Sequence, residues 1–155
     1  MSAYVDSYHD GNNITRRLQT GFLVYCNSDL VYWISKEQNY IDTSSFGREY
    51  STMKVAMEYI QGFRFKMRMM GIWCMEPAYV YGDNQAVLAN TTMPHSVLNK
   101  KSNSIAFHFV REGSAKDEWR TAYVNTDINP MDMMTKPLSS GEKRSKFIRM
   151  LLHHL

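Results

Sequence analysis

The sequence predicts an α/β fold: a five-stranded mixed sheet, its first three strands antiparallel, flanked by helices. Three observations predict it. Short Tyr- and Val-rich runs near the start are joined by tight turns. From Phe46 the apolar spacing changes to threes and fours. Two later strands, Ala78 to Tyr81 and Trp119 to Val124, are each reached through helical sequence, the connection that parallel pairing requires. A chain of 155 residues can bury one substantial core. With 44% hydrophobic and 21% charged residues it is not a disordered chain. The net charge of +3 is compatible with a polyanionic partner without requiring one. No run of about 20 apolar residues is present, so no membrane span and no membrane partner are expected. Cys26 and Cys74 lack metal-type spacing and read as reduced thiols of an intracellular protein.

In chain order, Ser2 to Asp6 reads as a strand ending on an acid, and Gly11-Asn12-Asn13 as a turn. Gly21 to Cys26 and Leu30 to Ser35 are the second and third strands, separated by a hairpin turn at Asn27-Ser28-Asp29. Thr43, Ser44 and Ser45 offer caps for a long helix whose apolar positions are Phe46, Tyr50, Met53, Met57 and Ile60, with Gly71 as its stop. Ala78 to Tyr81 is a short strand followed by Gly82 and Asp83. Asp83 is placed to cap a helix through Asn90. Lys100 to Glu112 reads as a helix carrying Ile105 and Phe109, stopped by Gly113. After the fifth strand, Pro130 opens a short helix with Asp132 in its first turn, and Pro137 ends it. Residues 1–138 are expected to form the domain, and 139–155 a basic amphipathic tail helix. Trp33 and Trp119 are expected in the core.

The order β-β-β-α-β allows the first and fourth strands to be parallel neighbours, which sets Asp6 beside Asp83. A helix over that edge can add Glu49, and the last short helix can add Asp132. Each acid also has an ordinary structural use, as turn residue, helix surface, cap or dipole partner. As a set they differ, because four clustered carboxylates cannot all stay ionised without a cation. Magnesium suits such oxygen ligands and leaves room for a phosphate. Two such ions are the arrangement for in-line displacement at phosphorus. Asp6, Glu49, Asp83 and Asp132 are therefore the expected metal ligands and catalytic residues, with two Mg²⁺ ions or Mn²⁺ in their place.

Basic side chains at Lys36, Arg64, Lys66, Lys100, Lys101 and Lys136 are candidate contacts to a nucleic-acid backbone. Asn84 and Gln85 adjoin the fourth strand and can address a 2′-hydroxyl, the group that separates RNA from DNA. His108 reads either as a packed, solvent-edge side chain or as a phosphate contact.

Several motifs resemble the ribonuclease H domain of copia-type LTR retrotransposon polyproteins. They are Tyr4-Val5-Asp6, Trp33-Ile34-Ser35-Lys36-Glu37-Gln38, Ser44-Ser45-Phe46-Gly47-Arg48-Glu49-Tyr50, Asp83-Asn84-Gln85-Ala86, Phe107-His108-Phe109-Val110-Arg111-Glu112 and Asp132-Met133-Met134-Thr135-Lys136-Pro137-Leu138. The resemblance implies a ribonuclease H-like fold. It implies magnesium-dependent hydrolysis of the RNA strand of RNA–DNA hybrids during reverse transcription, the same four acids as ligands, and a reverse transcriptase polymerase domain upstream. Tyr8-His9-Asp10 and Gly47 depart from the family pattern without removing a ligand. Two alternatives remain open: a catalytically decayed nucleic-acid-binding or tethering module of this fold, and a nuclease acting on DNA.

Overall fold

The structure, a computed structural model, describes residues 1–8, 19–37, 45–93, 95, 101–136 and 141–152. The expected turn at 11–13, Lys100, Pro137 and the start of the tail lie outside the described residues. Strands β1 (Ser2–Tyr8), β2 (Gln19–Cys26) and β3 (Asp29–Glu37) form the antiparallel meander. The β2–β3 turn places Asn27 at φ 55°, a left-handed conformation that an Asn tolerates. Opposite Val24 and Tyr25 the register slips, leaving Val31 as an extra residue on β3. Strands β4 (Ala78–Gly82) and β5 (Trp119–Tyr123) pair in parallel, giving the order β3-β2-β1-β4-β5. The fold class expected from the sequence is the one found.

Side chains alternate across the sheet because successive strand residues point to opposite faces. Ala3, Val5, Phe22, Val24 and Val80 face the main core. There they meet helix α1 (Ser45–Met69) through Tyr50, Met53, Met57 and Ile60, the spacing that predicted the helix. Helices α2 (Gln85–Thr92) and α3 (Ser104–Ala115) complete that layer with Val87, Leu88, Phe107 and Val110. On the other face Tyr4, Leu23 and Tyr25 pack against Met131 and Met134 and against Leu151 of helix α5 (Glu142–Leu152). The one-turn helix α4 (Asp132–Thr135) packs against β1 and β2. No helix among the described residues is long and apolar enough to cross a membrane, and both cysteines are free.

Several local expectations are corrected. β1 continues two residues past Asp6, so that acid lies within the strand. Trp33 stands on the edge strand and is 59% exposed, whereas Trp119 is buried. Ile105 is exposed, and the buried stripe of α3 runs instead through Ala106, Phe107, Val110 and Gly113. Gly113 does not stop α3. A Cβ there would fall inside the Trp119 ring, and the indole Nε1 donates to Val110 O at 2.9 Å across the space the glycine leaves. The chain turns away at Asp117 instead, with φ 55°. Gly71, by contrast, ends α1 as expected. Its φ of 79° lets Ile72 N reach Met67 O at 2.9 Å and Gly71 N reach Arg68 O at 2.9 Å, a Schellman closure.

Candidate metal centre

Parallel pairing of β1 and β4 runs to Tyr4 opposite Tyr81, so two residues further on Asp6 and Asp83 stand side by side at the same edge. Asp132 arrives from the other sheet face at the start of α4. One carboxylate oxygen from each of Asp6, Asp83 and Asp132 lies within 4.8 Å of the others. Asp6 is 4% and Asp132 1% exposed, and Asp83 is half-buried. Glu49, in the first turns of α1, adjoins this triad and is tied to it through Asn84, whose Nδ2 donates to Glu49 Oε1 at 3.0 Å.

Asn84, not Asp83, caps α2. Its Oδ1 accepts from Ala86 N at 3.0 Å and Val87 N at 3.3 Å. The correction has a chemical result: Asp83 is left out of the cap, and its Oδ2 accepts only a hydroxyl, Thr126 Oγ1 at 3.1 Å, among the described residues. Both ends of the Asn84 amide are in use, so its side chain is a strut between α1 and α2.

Close approach of α4 to β2 depends on Gly21, which pairs with Asp6. A Cβ at Gly21 would collide with Met131 Cε and Thr135 Cγ2. That approach lets the buried Thr135 hydroxyl donate to Asp6 Oδ2. Asn129 sets the entry to α4: its Nδ2 donates to Val5 O at 3.3 Å and its Oδ1 accepts from Met131 N at 3.1 Å. Two lysines supply positive charge. Lys136 Nζ lies 2.5 Å from Asp132 Oδ1 and 3.6 Å from Asp6 Oδ2, and over the Tyr8 ring at 5.6 Å. Lys143 Nζ, from α5, lies 3.0 Å from Asp132 Oδ2.

The electrostatics follow from burial and crowding. Burial first, then the neighbouring Asp83 and Asp6, pushes the Glu49 carboxyl up to about 7, against the opposing pull of the Asn84 hydrogen bond. Burial likewise raises Asp6, and Asp83 and Asp132 add to it, while Thr135 and Lys136 partly offset it. Burial works against the Lys136 ammonium, but its bond to Asp132 and the fields of Asp6, Asp132 and Asp83 outweigh that and raise its pKa. The donor set is all oxygen, anionic and convergent, which fits a hard divalent cation such as Mg²⁺ or Mn²⁺.

Among the nucleic-acid contacts expected from sequence, Gln85 is exposed beside Asp83, and Lys36 and Lys101 are exposed. Lys136 points into the acid cluster rather than outward. Arg64 lies near the far end of α1, about 22 Å along the helix axis from Glu49 at 1.5 Å per residue. There its guanidinium donates to Glu118 O at 2.8 Å and to Glu76 O, bracing the entries to β5 and β4. Lys66 is exposed near the same end. His108 is exposed with its ring edge-on to Phe107. Thr135 and Asn129 were not singled out from sequence, although Thr135 follows Asp132 at helical spacing and Asn129 precedes a proline. Nothing local marked Lys143 as part of the site.

No family model matches the chain. It is 26% identical over 139 residues to the retrovirus-related Pol polyprotein from transposon RE2 of Arabidopsis thaliana, and 27% identical over 139 residues to that from transposon RE1. Each match covers 90% of this chain and 10% of the relative, so the chain spans about a tenth of the length of these proteins. Among solved structures it superposes on ribonuclease H1 from Halobacterium salinarum NRC-1 with a TM-score of 0.61 at 19% identity, over 83% of this chain and 87% of that one. LC11-ribonuclease H1, solved in complex with an RNA/DNA hybrid, matches with a TM-score of 0.61 at 14% identity and the same coverage. The chain thus has the ribonuclease H fold, and its sequence relatives are retrovirus-related Pol polyproteins of transposons.

Proposed function

We propose that this chain is a ribonuclease H that hydrolyses the RNA strand of RNA–DNA hybrids in retrotransposon reverse transcription. The observation that carries the proposal is the meeting of Asp6, Asp83 and Asp132, from three separate parts of the chain, at one edge of a ribonuclease H fold. In this reading Asp6, Glu49, Asp83 and Asp132 hold two divalent cations, Mg²⁺ or Mn²⁺. Bound there, such ions would supply a nucleophile at neutral pH and charge stabilisation for the leaving oxygen of an in-line displacement.

The protein's own groups do the arranging. Thr135 fixes one oxygen of Asp6, and Asn84 fixes the Glu49 carboxylate. Asp83 and Glu49 each have a single side-chain partner among the described residues, Thr126 and Asn84, which leaves oxygens of both available to a cation. Gln85 is placed to read a 2′-hydroxyl, and Lys36 and Lys101 to take backbone phosphates. In the longer relatives this segment is one part of a Pol polyprotein, and a polymerase domain upstream is the expected partner in hybrid binding.

One observation favours the alternative of a catalytically silent binding module: Lys136 and Lys143 already engage both oxygens of Asp132. Incubation with a hybrid labelled on the RNA strand, and with duplex DNA, separates the readings. Magnesium-dependent cuts confined to the hybrid's RNA support ribonuclease H. Hybrid binding without cutting at any magnesium or manganese concentration supports the binding module, and cutting of duplex DNA alone supports a DNA nuclease.

A further inference from the structure

Asp132 is nearly sealed from water, and each of its oxygens carries an ammonium group, Lys136 on Oδ1 and Lys143 on Oδ2. The two lysines differ in how they are held. Lys136 follows Asp132 by one helical turn, and its backbone N is bonded to Asp132 O at 2.9 Å. Its ammonium also lies 3.6 Å from Asp6 and over Tyr8, and its side chain is 23% exposed.

Lys143 belongs to α5, and its side chain is 38% exposed. Its ammonium also stands over the buried Phe147 ring at 5.6 Å, so the Nζ is shared among several neighbours rather than locked to Asp132 alone. It also has a second acceptor, since Asp127 Oδ1 lies 3.6 Å from the same Nζ and is open to solvent. Lys143 and Asp127 line a groove of 940 Å³ together with Glu142, Ser145, Lys146 and Arg149, so the ammonium has room to move.

We infer that Lys143 is a displaceable counter-cation of the acid cluster. It holds Asp132 while the cluster lacks metal, and moves to Asp127 when Asp132 takes up a divalent ion. Helix α5 thereby sets the affinity of the site for metal. The inference rests on the metal-dependent reading above. The asymmetry between the lysines supports it: releasing Lys136 would strip charge from Asp132 and Asp6 together, whereas Lys143 exchanges one carboxylate for another 3.6 Å away.

The test is calorimetric titration of the whole chain with Mn²⁺ or Mg²⁺, without nucleic acid, at about 0.15 M salt to screen distant charges. Lys143→Gln is expected to bind metal roughly three- to tenfold more tightly than wild type, because a competitor is gone. Its metal-free melting temperature falls, and the rise on adding metal grows. Lys143→Arg keeps the pair and stays close to wild type. Asp127→Asn removes the receiving carboxylate and weakens binding a few-fold. Lys146→Gln and Glu142→Gln are the controls, since each removes one charge from the same groove without touching Asp132. A Lys143→Gln variant that binds no more tightly than Lys146→Gln overturns the assignment. Asp127→Asn behaving like Glu142→Gln overturns the transfer. A folded wild type that takes up no metal at all overturns the proposed function together with this inference.

Discussion

The two ends of the central strands are built on opposite plans. At the edge where β1 and β4 bring Asp6 and Asp83 together, buried acids are fastened by Thr135, Asn84, Lys136 and Lys143. At the other end, one cation, Arg64, ties together the carbonyls that precede β4 and β5. The surrounding side chains Phe65, Met69, Met70, Ile72, Trp73 and Met75 are largely exposed, Trp73 by 68%. Buried polar groups need partners and open apolar groups do not, so the first end is ordered by hydrogen bonds and charge. The difference teaches where substitutions will be felt as chemistry and where they will be felt only as stability.

The sharpest break in that comparison comes from Asp83→Asn. It removes a half-buried acid whose one side-chain partner among the described residues is the Thr126 hydroxyl, so folding persists while hybrid cleavage falls on the order of 10³-fold or more. Cleavage assays paired with melting curves check both halves, and an active Asp83→Asn enzyme would remove the basis for contrasting the two ends. Glu49→Gln is expected to lower cleavage about a hundredfold, and it has a second readout. Glu49 is raised from 4.5 to about 7 in the folded chain, so the folded state holds the proton more strongly than the unfolded chain. The stability this contributes is fully present below about 4.5 and is lost as pH rises through about 7. Melting of the metal-free protein between pH 5 and pH 8 is therefore expected to fall more steeply for wild type than for Glu49→Gln.

Two glycines sharpen the contrast in packing. Gly21→Ala drives a methyl group against Met131 and Thr135 beneath Asp6, at a cost of about 1–3 kcal/mol, and reduces cleavage because α4 must retreat. Gly62→Ala, on α1 with no atom within 4 Å of the added Cβ, is expected to stabilise by about 0.5–1 kcal/mol and leave cleavage unchanged. Denaturant melts and the hybrid assay measure both. At Arg64 the effect is expected on stability alone. Arg64→Ala should cost about 1–2 kcal/mol through two lost carbonyl bonds, with the salt dependence of hybrid binding unaltered. A flattened salt slope would instead make that end of α1 part of the nucleic-acid surface.

What could be read from the sequence, and what could not, divides along the range of the interaction involved. The α1 stripe Tyr50-Met53-Met57-Ile60 and the placing of Asp6 beside Asp83 were legible, because periodicity and strand order decide them. The cap of α2 was not. Asp83 and Asn84 are both good caps, and the choice is made by Glu49, 35 residues away, which takes the Asn84 amide hydrogen. Gly113 looked like a helix stop because the indole that fills its space lies beyond the helix end. Trp33 looked like core because nothing in its composition says that β3 is the sheet edge. Lys143 was hidden for the same reason, since only the docking of α5 brings it to Asp132.

The Thr135–Asp6 hydrogen bond joins residues 129 apart in sequence. Closing so long a loop is slow, and its contacts are gained after most of the chain's entropy has been lost. The acid cluster is therefore a late event in the life of the molecule. During synthesis the sheet meander and α1 can form from the first half of the chain, but Asp6 stays without its hydroxyl partner until residue 135 has emerged and α4 has settled onto Gly21. A chain cut short within α3 would keep Asp6, Glu49 and Asp83 and lack the site.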